Sequence, residues 1–146
     1  MKKVLFIIII FLFSSNLTFS NDIYLDCQLV KTIDKDKNKT TNFLKDEGWS
    51  NSEIHFFYKI HKKKITIIKG VHSGKRMYSG ETFSKEIDIS NTDTGILNKK
   101  TDTELVFSNS KNSSNLLIID RLTLDMISKG EDSESYYKCK KIEALL

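Results

Sequence analysis

The strongest constraint on this 146-residue chain is its pair of cysteines, Cys27 and Cys139, one near each end and no others between. If the two bond, their Cα atoms must come within about 7 Å, which sets the first and last elements side by side or face to face. Closing so long a loop is worth about 4–5 kcal/mol in the chain-entropy account. Against the ~5–15 kcal/mol net stability of an ordinary domain, that is a large share.

Whether they bond depends on the compartment, and the N-terminus bears on that. Met1-Lys2-Lys3 is a short cationic start, Val4 to Phe13 is an unbroken apolar run, and Ser14 to Ser20 turns small and polar. This is the layout of a secretory signal peptide. As a helix the apolar run reaches only about 15 Å, half of a ~30 Å hydrocarbon core, so no stable membrane span is expected after cleavage. Thr18 and Ser20 suit the small-residue positions of a cleavage site. Residues 1–20 are therefore read as a signal peptide and residues 21–146 as a single domain, periplasmic or secreted. Tyr24-Leu25-Asp26 before Cys27 lacks the small residues of a lipid-attachment signal.

In an oxidising compartment an even cysteine count reads as a disulfide. A reactive thiol has less behind it. There is no Cys-x-x-Cys, and no His, Lys or Arg lies within three residues of Cys27 to lower its pKa. Lys138 and Lys140 flank Cys139, but in a strand they point to the opposite face.

The 39% apolar fraction, with nine Phe, five Tyr and one Trp, lies above what a disordered chain carries, and the absence of proline excludes collagen-like and proline-rich segments. Without Lys2 and Lys3 there remain 21 basic against 19 acidic residues, a net charge of +2. That is no footprint for nucleic acid. Lysine outnumbers arginine 21 to 2, a bias of AT-rich coding more than a sign of an anionic partner.

Alternation supplies the fold class. Ile23, Leu25, Cys27 and Leu29 share one face of a half-buried strand, with the cysteine inward. Ile54, Phe56, Tyr58 and Ile60 do the same, and His61-Lys62-Lys63 turns the chain into the β-branched run Lys64 to Lys69. Further strands are expected at Met77 to Tyr78, Lys85 to Ile89, Thr103 to Phe107, Leu116 to Leu124 and Ser135 to Ile142. Residues 43–52 and 125–132 have room for a helical turn, but no window sustains a period of 3.6. The expectation is an all-β domain, a small antiparallel β-barrel with its N- and C-terminal strands joined by the disulfide, or alternatively a two-sheet β-sandwich.

Several constellations fall short of chemistry. Asp34, Asp36, Asn38 and Thr40 alternate as in the opening of an EF-hand loop, but Lys39 stands where glycine is needed and Lys45 where a bidentate glutamate is needed. A solvated loop is expected there. His55 and His61 share a strand face about 20 Å apart, too far for one metal, and His72 lies elsewhere. With no recognisable nucleophile pattern, neither an enzyme nor a metal or cofactor site is expected. His61-Lys62-Lys63-Lys64 reads as a solvated hairpin tip. Phe56, Phe57, Tyr58, Tyr136 and Tyr137 are candidates to line an apolar pocket, with core packing accounting for the inward half. The outward half, Phe57 with one tyrosine, suits a contact surface.

Taken whole, the signal peptide, the early cysteine, Ile119-Asp120-Arg121-Leu122-Thr123 and the closing Tyr-x-Cys resemble small uncharacterised exported proteins of AT-rich bacteria. Ile67-Ile68-Lys69-Gly70-Val71-His72-Ser73-Gly74-Lys75-Arg76-Met77-Tyr78 resembles the strand, glycine and Ser-Gly-x-x-Tyr loop of the exported lysozyme inhibitors, a family of small disulfide-containing β-barrels. That resemblance implies a binding loop of Ser73, Lys75 and Tyr78, with Ser73 at the position that enters the lysozyme cleft. Tyr78 comes one residue late, and this chain is longer by several strands. Trp49 and Arg121 resemble the tryptophan and arginine that pack together in lipocalins, although Gly48-Trp49 are adjacent where that family spaces them by one. The expected role is binding of an apolar ligand or an envelope protein partner by a monomer, the alternative being a lysozyme-type hydrolase inhibitor acting through the Val71–Met77 loop.

Overall fold

A computed structural model of the protein describes residues 22–37, 39–41, 49–76, 78–90, 95–109 and 114–144. The expected signal peptide, residues 43–48 and Met77 lie outside them. The described residues form ten strands and no helix: β1 (Ile23–Asp34), β2 (Lys39–Thr41), β3 (Trp49–His61), β4 (Lys64–Arg76), β5 (Thr82–Ile87), β6 (Gly95–Lys100), β7 (Glu104–Asn109), β8 (Leu116–Asp120), β9 (Met126–Lys129) and β10 (Ser133–Ile142). All pairings are antiparallel.

Eight of these strands close a ring in the order β1-β10-β9-β8-β7-β6-β4-β3 and back to β1, while β2 and β5 pair onto β1 and β4 outside it. The ring is irregular and not a regular barrel. Among the described residues β4 meets β6 through two residue pairs, Lys64 with Ile96 and Ile65 with Gly95, the residue at which β6 begins. The expected disulfide is present. Cys27 and Cys139 face each other directly across β1 and β10, with Cα atoms 4.0 Å apart, and join the first and last strands of the ring.

The alternation read from the sequence fills one end of the ring. Leu25, Cys27, Ile60, Ile65, Phe107, Ile119 and Met126 are buried together there. Gly95 makes the narrow β4–β6 seam possible, since a Cβ at that position would stand 2.7 Å from Ile65 Cγ2 and 3.1 Å from Phe107 Cβ. The β3–β4 hairpin turns at Lys62, whose φ is 53°. In the segment read against an EF-hand, residues 35–37 form a surface turn in which the Asp34 carboxylate accepts hydrogen bonds from the N–H groups of Asp36 and Lys37, Asn38 lies outside the described residues, and Thr40 belongs to β2.

Several local expectations are corrected. β1 and β4 run longer than their apolar alternation, because β10 and β2 continue to pair with β1 and β5 continues to pair with β4. Leu116 to Leu124 is not one strand. The Asp120 carboxylate accepts the N–H groups of Leu122 and Thr123 and turns the chain, and Leu124 takes a φ of 65°. Residues 126–129 of the expected helical turn are instead β9, and residues 49–52 open β3. Tyr78 sits in a turn, not a strand. The sequence reading missed β6 altogether.

Two outcomes follow for stability. Gly95→Ala is expected to cost about 1–3 kcal/mol through overpacking at the seam, while Gly130→Ala, whose Cβ would meet nothing closer than 3.5 Å, stays near neutral in urea unfolding. Replacing both cysteines by alanine is expected to lower the unfolding free energy by about 4–5 kcal/mol in the same assay.

Candidate functional site

The inward-facing residues do not fill the ring evenly. Beside the β4–β6 contact, a cavity of about 350 Å³ lies open on one side, lined by Phe56, Tyr58, Ile67, Gly95, Phe107, Ser108, Asn109, Asn115, Leu116, Leu117, Ser128 and Tyr137. An eight-stranded closed sheet has an interior that side chains can just fill, or that can hold one small molecule. Here Phe107 lies between the packed end and the cavity, and the cavity wall carries further aromatic rings, with Phe56 and Tyr137 meeting edge to face at 6.1 Å.

Among the described residues, no side chain of Asp, Glu, Lys, Arg or His lines this cavity. Its ionisable groups are phenols. Burial pushes the Tyr58 hydroxyl far above its usual range, with Tyr137 beside it adding to the rise. Burial raises Tyr137 as well, and a hydrogen bond from Ser135 partly opposes that. Ser135 in turn lies 3.0 Å from the Thr32 hydroxyl, across the β1–β10 pair.

The aromatic residues sort by strand parity. Phe56, Tyr58 and Tyr137 face inward and line the cavity. Phe57 and Tyr136 face out, but they do not form an open apolar patch. Tyr136 lies under the Lys31 ammonium at 4.5 Å, and Phe57 stacks with His55 at 6.4 Å.

The histidines take three separate partners. His55 Nδ1 is 2.6 Å from the Asp26 carboxylate, a buried group that Lys140 also approaches at 3.3 Å. This arrangement lies on the outer face of β1, beside the disulfide. His61 bonds Asp22 at the end of the ring, where Lys59 also lies 2.8 Å from Asp22, and Lys59 followed by His61 holds that carboxyl below its usual range. His72 Nε2 lies 2.6 Å from the Ser52 hydroxyl, and Ser52 is buried at 2% exposure. Among the described residues no three of His, Cys, Asp and Glu gather as metal ligands.

The segment likened to an inhibitor loop is not a loop. Ser73 and Lys75 lie inside β4, where Ser73 pairs with Glu53 of β3 and Ser84 of β5. Gly74 read as a turn, but strands on both sides hold it extended. Tyr78 is 94% exposed in the turn beyond. Arg121 donates to the carbonyls of Thr101 and Asp102 and lines a smaller apolar recess with Ile60, at the far end of β3 from Trp49. Comparison of the chain with known protein families, curated proteins and solved structures gives no match.

Alternation marked Phe56, Tyr58 and Tyr137 as pocket candidates. Sequence reasoning missed Phe107, Leu117 and Ser128, although the apolar Thr103–Phe107 and Leu116–Leu124 runs carried part of the signal. The polar mouth of Asn109 and Asn115 left no mark in the sequence.

The two buried phenols predict an alkaline limit. Their folded pKa values are raised, so their stabilisation is fully present below the ordinary phenol pKa near 10 and is lost as pH rises past it. Unfolding free energy should fall above about pH 10 by up to ~1.4 kcal/mol per pH unit for each phenol, and Tyr58→Phe should flatten that slope.

Proposed function

We propose that the protein is an exported binding protein, released from a signal peptide, whose site is the cavity between β4 and β6 and whose ligand is a small apolar molecule. One observation carries this reading: a closed ring of strands leaves about 350 Å³ unfilled and walls it with aromatic and aliphatic side chains and the neutral polar groups of Ser108, Asn109, Asn115 and Ser128. Pockets of this size and lining are where small apolar ligands bind. The disulfide fits an oxidising, non-cytoplasmic compartment, in keeping with export. Its role is binding and not catalysis, in keeping with histidines that sit apart on separate partners.

An envelope protein partner has less support, since the outward aromatics Phe57 and Tyr136 are each covered by a neighbouring side chain. The inhibitor reading needs Ser73 at a protruding tip, and Ser73 is instead held between two strands.

The test uses the uncharged dye N-phenyl-1-naphthylamine, whose fluorescence rises in apolar surroundings. The oxidised protein should bind it with a micromolar dissociation constant. Ser128→Phe, which places a ring in the unfilled space, should weaken binding at least about tenfold with an unchanged far-ultraviolet circular dichroism spectrum. Absence of binding by the folded wild type, or wild-type affinity in a folded Ser128→Phe variant, overturns the proposal.

A further inference from the structure

We infer that the cavity selects an uncharged amphiphile, an alkyl or aryl body carrying one neutral oxygen function, and discriminates against the corresponding carboxylate. This rests on the cavity being the binding site and adds the chemical class of its ligand.

The first support is the lining. Among the described residues the wall mixes aromatic and aliphatic side chains with the neutral hydroxyls and amides of Ser108, Asn109, Asn115 and Ser128, and holds no ammonium or guanidinium. A carboxylate seated there loses hydration without a cationic partner in return, and an unpaired buried charge is costly. On β10, strand parity turns Lys138 and Lys140 away from Tyr137, to a separate outer recess with Asp26 and His55.

The second support is the set of neutral hydrogen-bonding groups on the wall. The hydroxyls of Tyr137 and Ser128 can each donate or accept, so a neutral oxygen on the ligand, alcohol or carbonyl, has partners there. The raised Tyr58 and Tyr137 phenols stay neutral donors through the physiological range, so no phenolate forms to attract a cation. Size sets the remaining bound. About 350 Å³ holds on the order of a dozen water-sized groups, enough for a medium-chain body and too small for a two-chain lipid.

The experiment displaces N-phenyl-1-naphthylamine from the oxidised protein with decane, 1-decanol and decanoate, at about pH 8 and about pH 5. Decanol should displace the dye at least about tenfold better than decanoate at the higher pH, and the gap should narrow at the lower pH as the carboxylate takes up its proton. Decanol should also exceed decane, and Tyr137→Phe should shrink that advantage while leaving decane unchanged. Decanoate matching decanol at both pH values, or dye binding with no displacement by decanol, overturns the ligand class and leaves the cavity reading standing. Failure of the dye itself to bind the wild type overturns the cavity reading instead.

Discussion

Everything in this fold depends on β1 lying against β10. That pairing turns a string of neighbouring antiparallel strands into a ring, and the Cys27–Cys139 bond fixes it covalently at its centre. Without it the chain would be an open sheet, with Leu25, Leu29 and Tyr137 on an unpaired edge. Closure also sets the opposite side. Once β1 holds β10 and β3, the two arms of the ring meet at β4 and β6, and they meet through the residue pairs of a single short contact. Gly95 is needed there because the arms approach so closely that a methyl group would collide with Ile65.

The same geometry produces the cavity. β4 continues to Arg76 by pairing with β3 and β5, whereas β6 begins at Gly95, opposite Ile65, so among the described residues the inward side chains of β4 past that point are not paired to β6. Phe56, Ile67 and Tyr137 therefore wall a space instead of filling a core. The charged residues are sorted to the outside by alternation, and many of them pair there: Lys59 with Asp22, Lys35 with Glu134, Lys140 with Asp26. The interior is apolar and uncharged for the same reason that the exterior carries ion pairs.

How much of this was legible follows the range of the interaction involved. β1, the β3–β4 hairpin and β10 alternate strongly, and their inward faces were readable residue by residue. β6, Gly-Ile-Leu-Asn-Lys-Lys, alternates poorly and reads as a loop; it is a strand because β7 pairs along its length. The Ser73-Gly74 segment, likened to a loop, is held extended by neighbours on both sides, because a short Ser-Gly match carries no information about the strands that flank it. The cavity was legible only as three inward aromatics, since its existence depends on how distant strands close the ring, which no local pattern encodes.

An unfilled interior costs a small domain packing that it would otherwise gain, because wall atoms facing a void lack partners on one side. A chain of this length has few ways to offset that. The covalent closure is one, since it acts mainly on the unfolded chain and does not require the interior to be packed. Bound ligand is a second, because whatever binds only the folded state stabilises it by mass action. The disulfide and the cavity are thus two sides of one arrangement, in which a bond at the ring's closure permits a space at its opposite seam. Thr32 and Ser135, which face each other across the same β1–β10 pair that the disulfide fixes, add a hydroxyl contact to that closure, two residues along β10 from the cavity wall at Tyr137.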